Sequence, residues 1–306
     1  MFLSRILSRL RLPKLSIKIS MWKTFYIKPG EIAILYHRSD FKNILNSGTY
    51  TYFGRHWRVE RFDLKQPEAQ INNLELLLRD NAAELLEHLL IVRTEFNQAA
   101  LVRIGQKWIS ILPNQLRAFW RGFIELETHV FNLEESLELP PQFVEQLRGF
   151  ALNGLKKIFI KEYEIGLLYV QNNFVRPLEP GYYAFWAVDK YVTHYVMSRL
   201  VHNPNFPLEE VLIERHPDFV TTYCQTVETI AQQVAIVRYQ GKANAILPPT
   251  SRKLFWQDVD VEIIDIGDNA KLSAALVTEL VSGLPETVNL SRNALHVCQV
   301  PSKHIG

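Results

Sequence analysis

Cys224, Cys298 and the trio His194, His202 and His216 are the residues of this 306-residue chain whose types suit nucleophilic or metal chemistry. A zinc site built on thiolates needs its ligands at close spacing, and the two cysteines stand too far apart for that. They suggest no disulfide framework either, so two reduced thiols in a cytoplasmic chain is the simpler reading. Cys224, in TTYCQT, reads as a small core residue near a helix end. The three histidines have Asp189 and Glu209 nearby in sequence, yet His194 lies in a predicted strand and His216 at a helix break, so their side chains are not expected to converge on a metal. Glu262 and Asp265 are an odd number of residues apart in a strand, which puts them on opposite faces and rules out a paired acid and base. No HExxH, GxSxG, GxGxxG or GxxxxGK string is present. The expectation is a protein without catalytic activity, metal or cofactor.

What would position any such residue is a unit repeated along the chain. Residues 158–200 are its clearest copy: EIGLLYV (164–170) stops at Gln171-Asn172-Asn173, FVRPL resumes, Pro180-Gly181 makes a second turn before YYAFW, and YVTHYVMSRL closes. Strands this short without long crossovers must pair antiparallel. Similar strings start at Phe25, Ile91 and Thr226, and their closing strands end at Leu64, Leu133 and Ile266. The equivalent residues Ala33, Ala100, Gly166, Ala235 and Gly306 recur at roughly 66 to 71 residues.

The alignment of the copies says what packs. Phe53, Trp120, Trp186 and Trp256 hold one place just after the second turn, and Leu45, Leu112, Leu178 and Leu247 stand just before it. A row of large aromatics at equivalent positions reads as a repeated core plug rather than a ligand-stacking surface. Arg117 and Arg252 precede two of the tryptophans; a solvated or stacking arginine is the plain reading and anion binding the rival one.

Between the units lie predicted two-helix connectors. The one from Pro67 carries Ile71, Leu74, Leu78, Ala82, Leu85 and Leu89 at helical spacing, with a break expected at Asn81. Pro207 and Pro217 start the two helices of another, and those from Pro140 and Asn269 are punctuated by Asn153-Gly154 and Gly283-Leu284-Pro285. The fold class is therefore α+β, a tandem, elongated array of four small antiparallel β units with a partial fifth. Its divisions are an N-terminal helix over 1–20, repeats with their connectors over 21–90, 91–156, 157–225 and 226–294, and a lone first strand over 295–306. That strand, ALHVCQV, reads as the start of a longer protein's next repeat or as an edge pairing with another molecule.

Net charge is +2, which indicates no general nucleic-acid footprint, but the first thirty residues hold seven cations before the first acid, Glu31. Phe2, Leu3, Ile6, Leu7 and Leu10 recur at helical spacing with Arg5 and Arg9 on the other arc, until Pro13. Such a helix can lie in the headgroups of an anionic membrane, pack on the first repeat, or bind a partner, and a disordered terminus is the remaining reading. No apolar run reaches the ~20 residues of a transmembrane helix, and the charges fit a signal peptide badly.

The string EIGLLYVQNNFVRPLEPGYYAFW resembles the segment ahead of the band-7 domain in the slipin branch of the stomatin and prohibitin superfamily. VDVEIIDI (259–266) is similar to that family's closing strand, and the resemblance extends over roughly residues 25–306. It implies a peripheral scaffold on the cytoplasmic side of a membrane, forming large homo-oligomers and working with a membrane-bound serine protease. The chain departs from the family in having no band-7 domain after its last strand, no long coiled coil, and a short helix in place of a hydrophobic hairpin. A soluble repeat module for protein interaction, or the N-terminal part of a longer band-7 protein, are the other readings.

Overall fold

The structure is a computed structural model that describes residues 21–266 and, beyond them, 273–275, 277 and 278. The basic N-terminal stretch, most of the fourth connector, Cys298 and the strand expected at 295–306 lie outside the described residues.

Five strands recur four times. The first set is β1 (Trp22–Ile27), β2 (Glu31–His37), β3 (Asp40–Leu45), β4 (Gly48–Phe53) and β5 (Trp57–Asp63). Helix α1 (Leu74–His88) leads to β6 (Leu89–Arg93), β7 (Gln98–Ile104), β8 (Lys107–Ile111), β9 (Leu116–Trp120) and β10 (Leu126–Asn132). After α2 (Pro141–Gln146) come β11 (Leu155–Ile160), β12 (Glu164–Val170), β13 (Asn173–Leu178), β14 (Gly181–Trp186) and β15 (Val192–Ser198). Helices α3 (Glu209–Arg215) and α4 (Pro217–Tyr223) precede β16 (Cys224–Glu228), β17 (Gln233–Tyr239), β18 (Lys242–Leu247), β19 (Arg252–Trp256) and β20 (Asp260–Asp265).

In each set the second strand is the middle of a three-stranded sheet, and the first and fourth strands form a separate pair. Every pairing is antiparallel. The second and third strands join through two residues, Arg38-Ser39, Gln171-Asn172 and Gln240-Gly241 having positive φ at both positions. That is the turn whose twist suits a tight hairpin. These three hairpins also shift register by a bulge, whereas β7–β8 does not. One consequence corrects the sequence alignment: the residue opposite Ala100 is Ile111, not Leu112, because the unbulged strand is one residue shorter.

The two sheets of a set share a core. Phe25 and Ile27 of β1 meet Ala33 and Leu35 of β2 and Leu45 of β3. The alternate residues of β2 are apolar as well: Ile32, Ile34 and Tyr36 enter a second cluster with Leu64, Ala69, Ile71 and Leu85 of the connector and Trp120 of β9. A middle strand buried on both faces reads as a continuous apolar run instead of an alternating one.

The chain divides into two compact units, one of residues up to 135 with 151–153, the other of 136–150 with those from 154 onward. Each contains two sets. In the second unit Ile165, Leu167 and Tyr169 of β12 meet Phe206, Leu212 and Phe219 of the connector and Leu254 and Trp256 of β19, as their counterparts do in the first. The sets within a unit differ in kind. Tyr36 and Tyr169 are buried in the first set of each unit; the same position holds Arg103 and Arg238 in the second set, paired with Glu127 and Glu262. Thr94 and Thr229 are buried where the first sets carry Ile27 and Ile160. The true repeat is thus a pair of unlike sets, where the sequence reading took four equivalent ones.

The connectors follow expectation unevenly. His216 separates α3 from α4, with Pro217 at the first helical position. Pro207, expected to start a helix, instead precedes Leu208 (φ 53), after which α3 begins. In α1 the backbone of Asn81 leaves helical geometry at the expected break (φ −139, ψ 36). The connector from Pro140 has one helix, not two, since α2 ends after six residues. The carbonyls of Leu147 and Phe150 beyond it are taken by the Lys157 ammonium, so no second helix is needed to satisfy them.

Candidate functional site

The surface that recurs most consistently is the outer face of each two-stranded sheet, the side turned away from the set's own core. Alternation puts three residues of each strand on it. In register, Trp22, Thr24 and Tyr26 stand opposite Phe53, Thr51 and Thr49 in the first set. Leu89, Ile91 and Arg93 stand opposite Trp120, Ala118 and Leu116 in the second. The third has Leu155, Lys157 and Phe159 against Trp186, Ala184 and Tyr182, and the fourth Cys224, Thr226 and Glu228 against Trp256, Leu254 and Arg252.

In three sets the preceding connector closes this face. Ala69 N–H donates to the Ala118 carbonyl (2.8 Å) and Trp120 N–H to the Pro67 carbonyl (2.9 Å), so a short extended piece extends the sheet edge at β9. Leu139 N–H and the Ala184 carbonyl (2.9 Å), with Trp186 N–H and the Leu137 carbonyl (2.8 Å), repeat the arrangement at β14. At β19 a side chain does the work: the Glu209 carboxylate accepts from Leu254 N–H. Over the same faces, Phe206 lies 4.9 Å from the Trp256 ring, and the Arg148 guanidinium lies 3.5 Å from the centre of Tyr182, which stacks on Phe159 at 4.2 Å. Trp120, Trp186 and Trp256 are accordingly buried.

Phe53, expected in the same core row, is 57% exposed, beside Trp22 at 61% and Tyr26 at 57%. The reason is the missing neighbour: the tryptophans are covered by a connector, and no described connector precedes β1. The Thr24 and Thr51 hydroxyls hydrogen-bond to each other across this open face at 3.0 Å. Phe2, Leu3, Arg5, Ile6, Leu7, Arg9 and Leu10, the expected membrane-contacting residues, lie outside the described residues.

The residues singled out for chemistry are scattered. Burial, with Glu209 close by, pushes the Cys224 thiol up to about 12, so it stays protonated and packs as an apolar side chain. His202 stacks on Tyr239 at 3.3 Å, His216 meets Phe174 at 4.8 Å, and His194 faces Leu168 across β12–β15, held below its ordinary pKa by burial and by Lys156. No cluster of three metal-ligating side chains occurs among the described residues. Arg117 pairs with Glu68 (3.4 Å), and Arg252 with Glu210 and Glu228 (3.9 and 3.8 Å), so both arginines serve ion pairs at connector edges.

Sequence reasoning missed the groups that fasten connectors to faces. Glu209, raised in pKa by burial, is one; Arg148 and Lys157 are others. A further fastening joins Tyr223 of α4 to Glu179, its hydroxyl donating at 2.7 Å, with Arg199 3.9 Å from the same carboxylate. These lie beside a cleft of about 320 Å³ lined by Arg199, Tyr223, Trp256 and Asp258. The available signal was a charged residue at an otherwise apolar strand position, as at Lys157. Against known proteins, no family model matches the chain and no curated protein matches it.

Proposed function

We propose that this chain is a membrane-associated scaffold of the slipin and stomatin kind, which assembles with itself and does no bond-making chemistry. The observation that carries the reading is the use of the outer faces. In three sets the large apolar surface joins a set of strands to its connector, through aromatic plugs and backbone edges. A surface built this way transmits position and shape. Attachment to an anionic membrane falls to Phe2, Leu3, Ile6, Leu7 and Leu10 with Arg5 and Arg9, on the cytoplasmic side and without crossing it; among the described residues no helix is long and apolar enough to cross. A membrane-bound protease as partner follows from the family resemblance alone.

The test is light scattering after size exclusion, with flotation on anionic vesicles, for the full chain and for a chain lacking residues 2–20. Large assemblies, and flotation lost on truncation or in the Arg5→Glu, Arg9→Glu double variant, are expected. A small species that ignores vesicles would leave a soluble interaction module as the function.

A further inference from the structure

We propose that the cleft between β2, β5 and the start of α1 binds a small zwitterion of the amino-acid kind, its carboxylate on Arg58, its ammonium on Glu60 and its apolar part along Leu76. The cleft holds about 450 Å³, within the range of sites for small molecules. Tyr36, Arg58, Glu60, Asn72, Asn73 and Leu76 are among its walls.

The two units treat this place differently. Tyr36 and Tyr169 are equivalent residues of β2 and β12, and Asn73 and Leu208 are equivalent too, each left-handed and each capping a connector helix. In the second unit the Tyr169 hydroxyl crosses to the connector and donates to the Pro207 carbonyl at 3.0 Å, with the Tyr195 ring edge-on to it at 5.4 Å. In the first, the Tyr36 hydroxyl donates instead to Glu60 at 3.4 Å, and Asn72, in the place of Pro207, borders an open cleft. Burial, and then Glu60, push the Tyr36 hydroxyl up to about 12, which keeps it the donor of that bond. The register sets Arg58 where the second unit has Thr193, and Glu60 where it has Tyr195. Neutral residues serve the fold at both positions there, so the fold does not require the charges here.

Those charges have capacity to spare. Arg58 and Glu60 share one side of β5, two residues and about 6.8 Å apart along the strand. Among the described residues neither makes an ion pair, and the Arg58 guanidinium rests 4.8 Å from the centre of the Tyr36 ring. A guanidinium can hold a carboxylate through two parallel bonds, and the Glu60 oxygens accept more than the one bond that Tyr36 gives them. The side-chain amides of Asn72 and Asn73 make no hydrogen bond among the described residues, so each offers a donor and an acceptor. Leu76, 51% exposed in the first turn of α1, supplies the apolar wall. A plain anion would meet Glu60 and a plain cation Arg58; a molecule carrying both charges satisfies the two together.

This inference is separate from the scaffold reading and stands whether or not the chain binds a membrane.

The experiment is isothermal titration calorimetry of the full chain with L-leucine and L-phenylalanine, and with two analogues of leucine: leucinamide, which lacks the carboxylate, and isocaproate, which lacks the ammonium. One amino acid per chain is expected to bind, with Kd of about 0.1 mM or tighter. Each analogue should bind about tenfold or more weakly, through loss of a charged hydrogen bond. Arg58→Gln should erase the preference for leucine over leucinamide, and Glu60→Gln the preference over isocaproate, with unchanged far-UV circular dichroism as the check on folding. No binding of either amino acid would overturn the proposal. So would equal affinity for leucine and both analogues, or leucine binding that neither substitution alters, which would place the ligand elsewhere on the chain.

Discussion

The ring of Trp120, at the end of β9, lies 5.2 Å from that of Phe62 in β5, and this contact joins the second set of strands to the sheet of the first. Phe53 holds Trp120's place one set earlier, where it is 57% exposed and meets Trp22 edge-on at 5.2 Å. The pair gives a direct comparison. Trp120→Ala should destabilise the protein by about 3–5 kcal/mol, while Phe53→Ala in a chain lacking residues 2–20 should cost about 0.5 kcal/mol or less. Urea unfolding measures both. In a double-mutant cycle Phe62 and Trp120 should couple by about 0.5–1.5 kcal/mol.

Among the described residues Thr94 and Thr229 are the buried polar side chains, and the Thr94 hydroxyl is fully used. It donates to the Leu112 carbonyl at 2.6 Å and accepts from Gln115 N–H at 3.1 Å; Thr229 does the same with Pro248 and Ser251. Thr94→Val keeps the shape and strands both backbone groups, so a loss of about 1–3 kcal/mol is expected. Thr94→Ser should recover most of it. Equal stability for the valine and serine variants would show that the hydroxyl contributes nothing.

Gly166 is the glycine of a position that is alanine in the other sets, and a methyl there would stand 2.7 Å from Ile160 Cδ1 and 3.1 Å from Leu178 Cβ. Ala33 sits between Ile27 and Leu45 in the equivalent core, which shows that such a neighbourhood can admit the methyl. Gly166→Ala should therefore change stability by less than about 1 kcal/mol, whereas Gly166→Val should cost about 1–3 kcal/mol by overpacking. Thermal unfolding of the two variants decides.

His194 supplies a pH dependence of known sign. Burial first, and then the charge of Lys156, lower its pKa below the usual histidine value. The unfolded chain thus takes up the proton at a pH where the folded chain does not. Stability from this group is complete above the unfolded pKa near 6.5 and declines as pH falls through that value toward the folded one. The urea midpoint of the wild type should drop between pH 7.5 and 5.5 by more than that of His194→Gln. Parallel curves would remove the assignment.

Much of this architecture was legible because strands and turns leave short-range marks. EIGLLYV ends at Gln171-Asn172, where Asn172 is of a type that accepts positive φ, and the hairpin is there. The tryptophan row was legible as packing for the same reason that it misled at Phe53: position within a set is local, but burial depends on which element precedes the set. Connector lengths were harder, since the Leu147 and Phe150 carbonyls just beyond α2 are taken by Lys157 of the next strand, and helical periodicity carries no sign of that competition. The pairing of unlike sets was not legible because Tyr36 and Arg103 differ in chemistry at one aligned position while the apolar template around them stays the same.

The middle strands carry a further consequence. In most half-buried strands, polarity tells the chain which side faces inward, and a one-residue slip is punished by exposing apolar groups to water. β2 and β12 are apolar on both sides, so a slip would expose nothing new. What distinguishes their two sides is side-chain size: Ala33 and Gly166 face the interior of the set, where a methyl at Gly166 would stand 2.7 Å from Ile160, and Ile32 and Ile165 face the cluster under the connector. The register of these sheets is held by steric fit, so errors in strand alignment would appear as crowding, and substitutions that even out side-chain size along β2 would erase the information that keeps it in place.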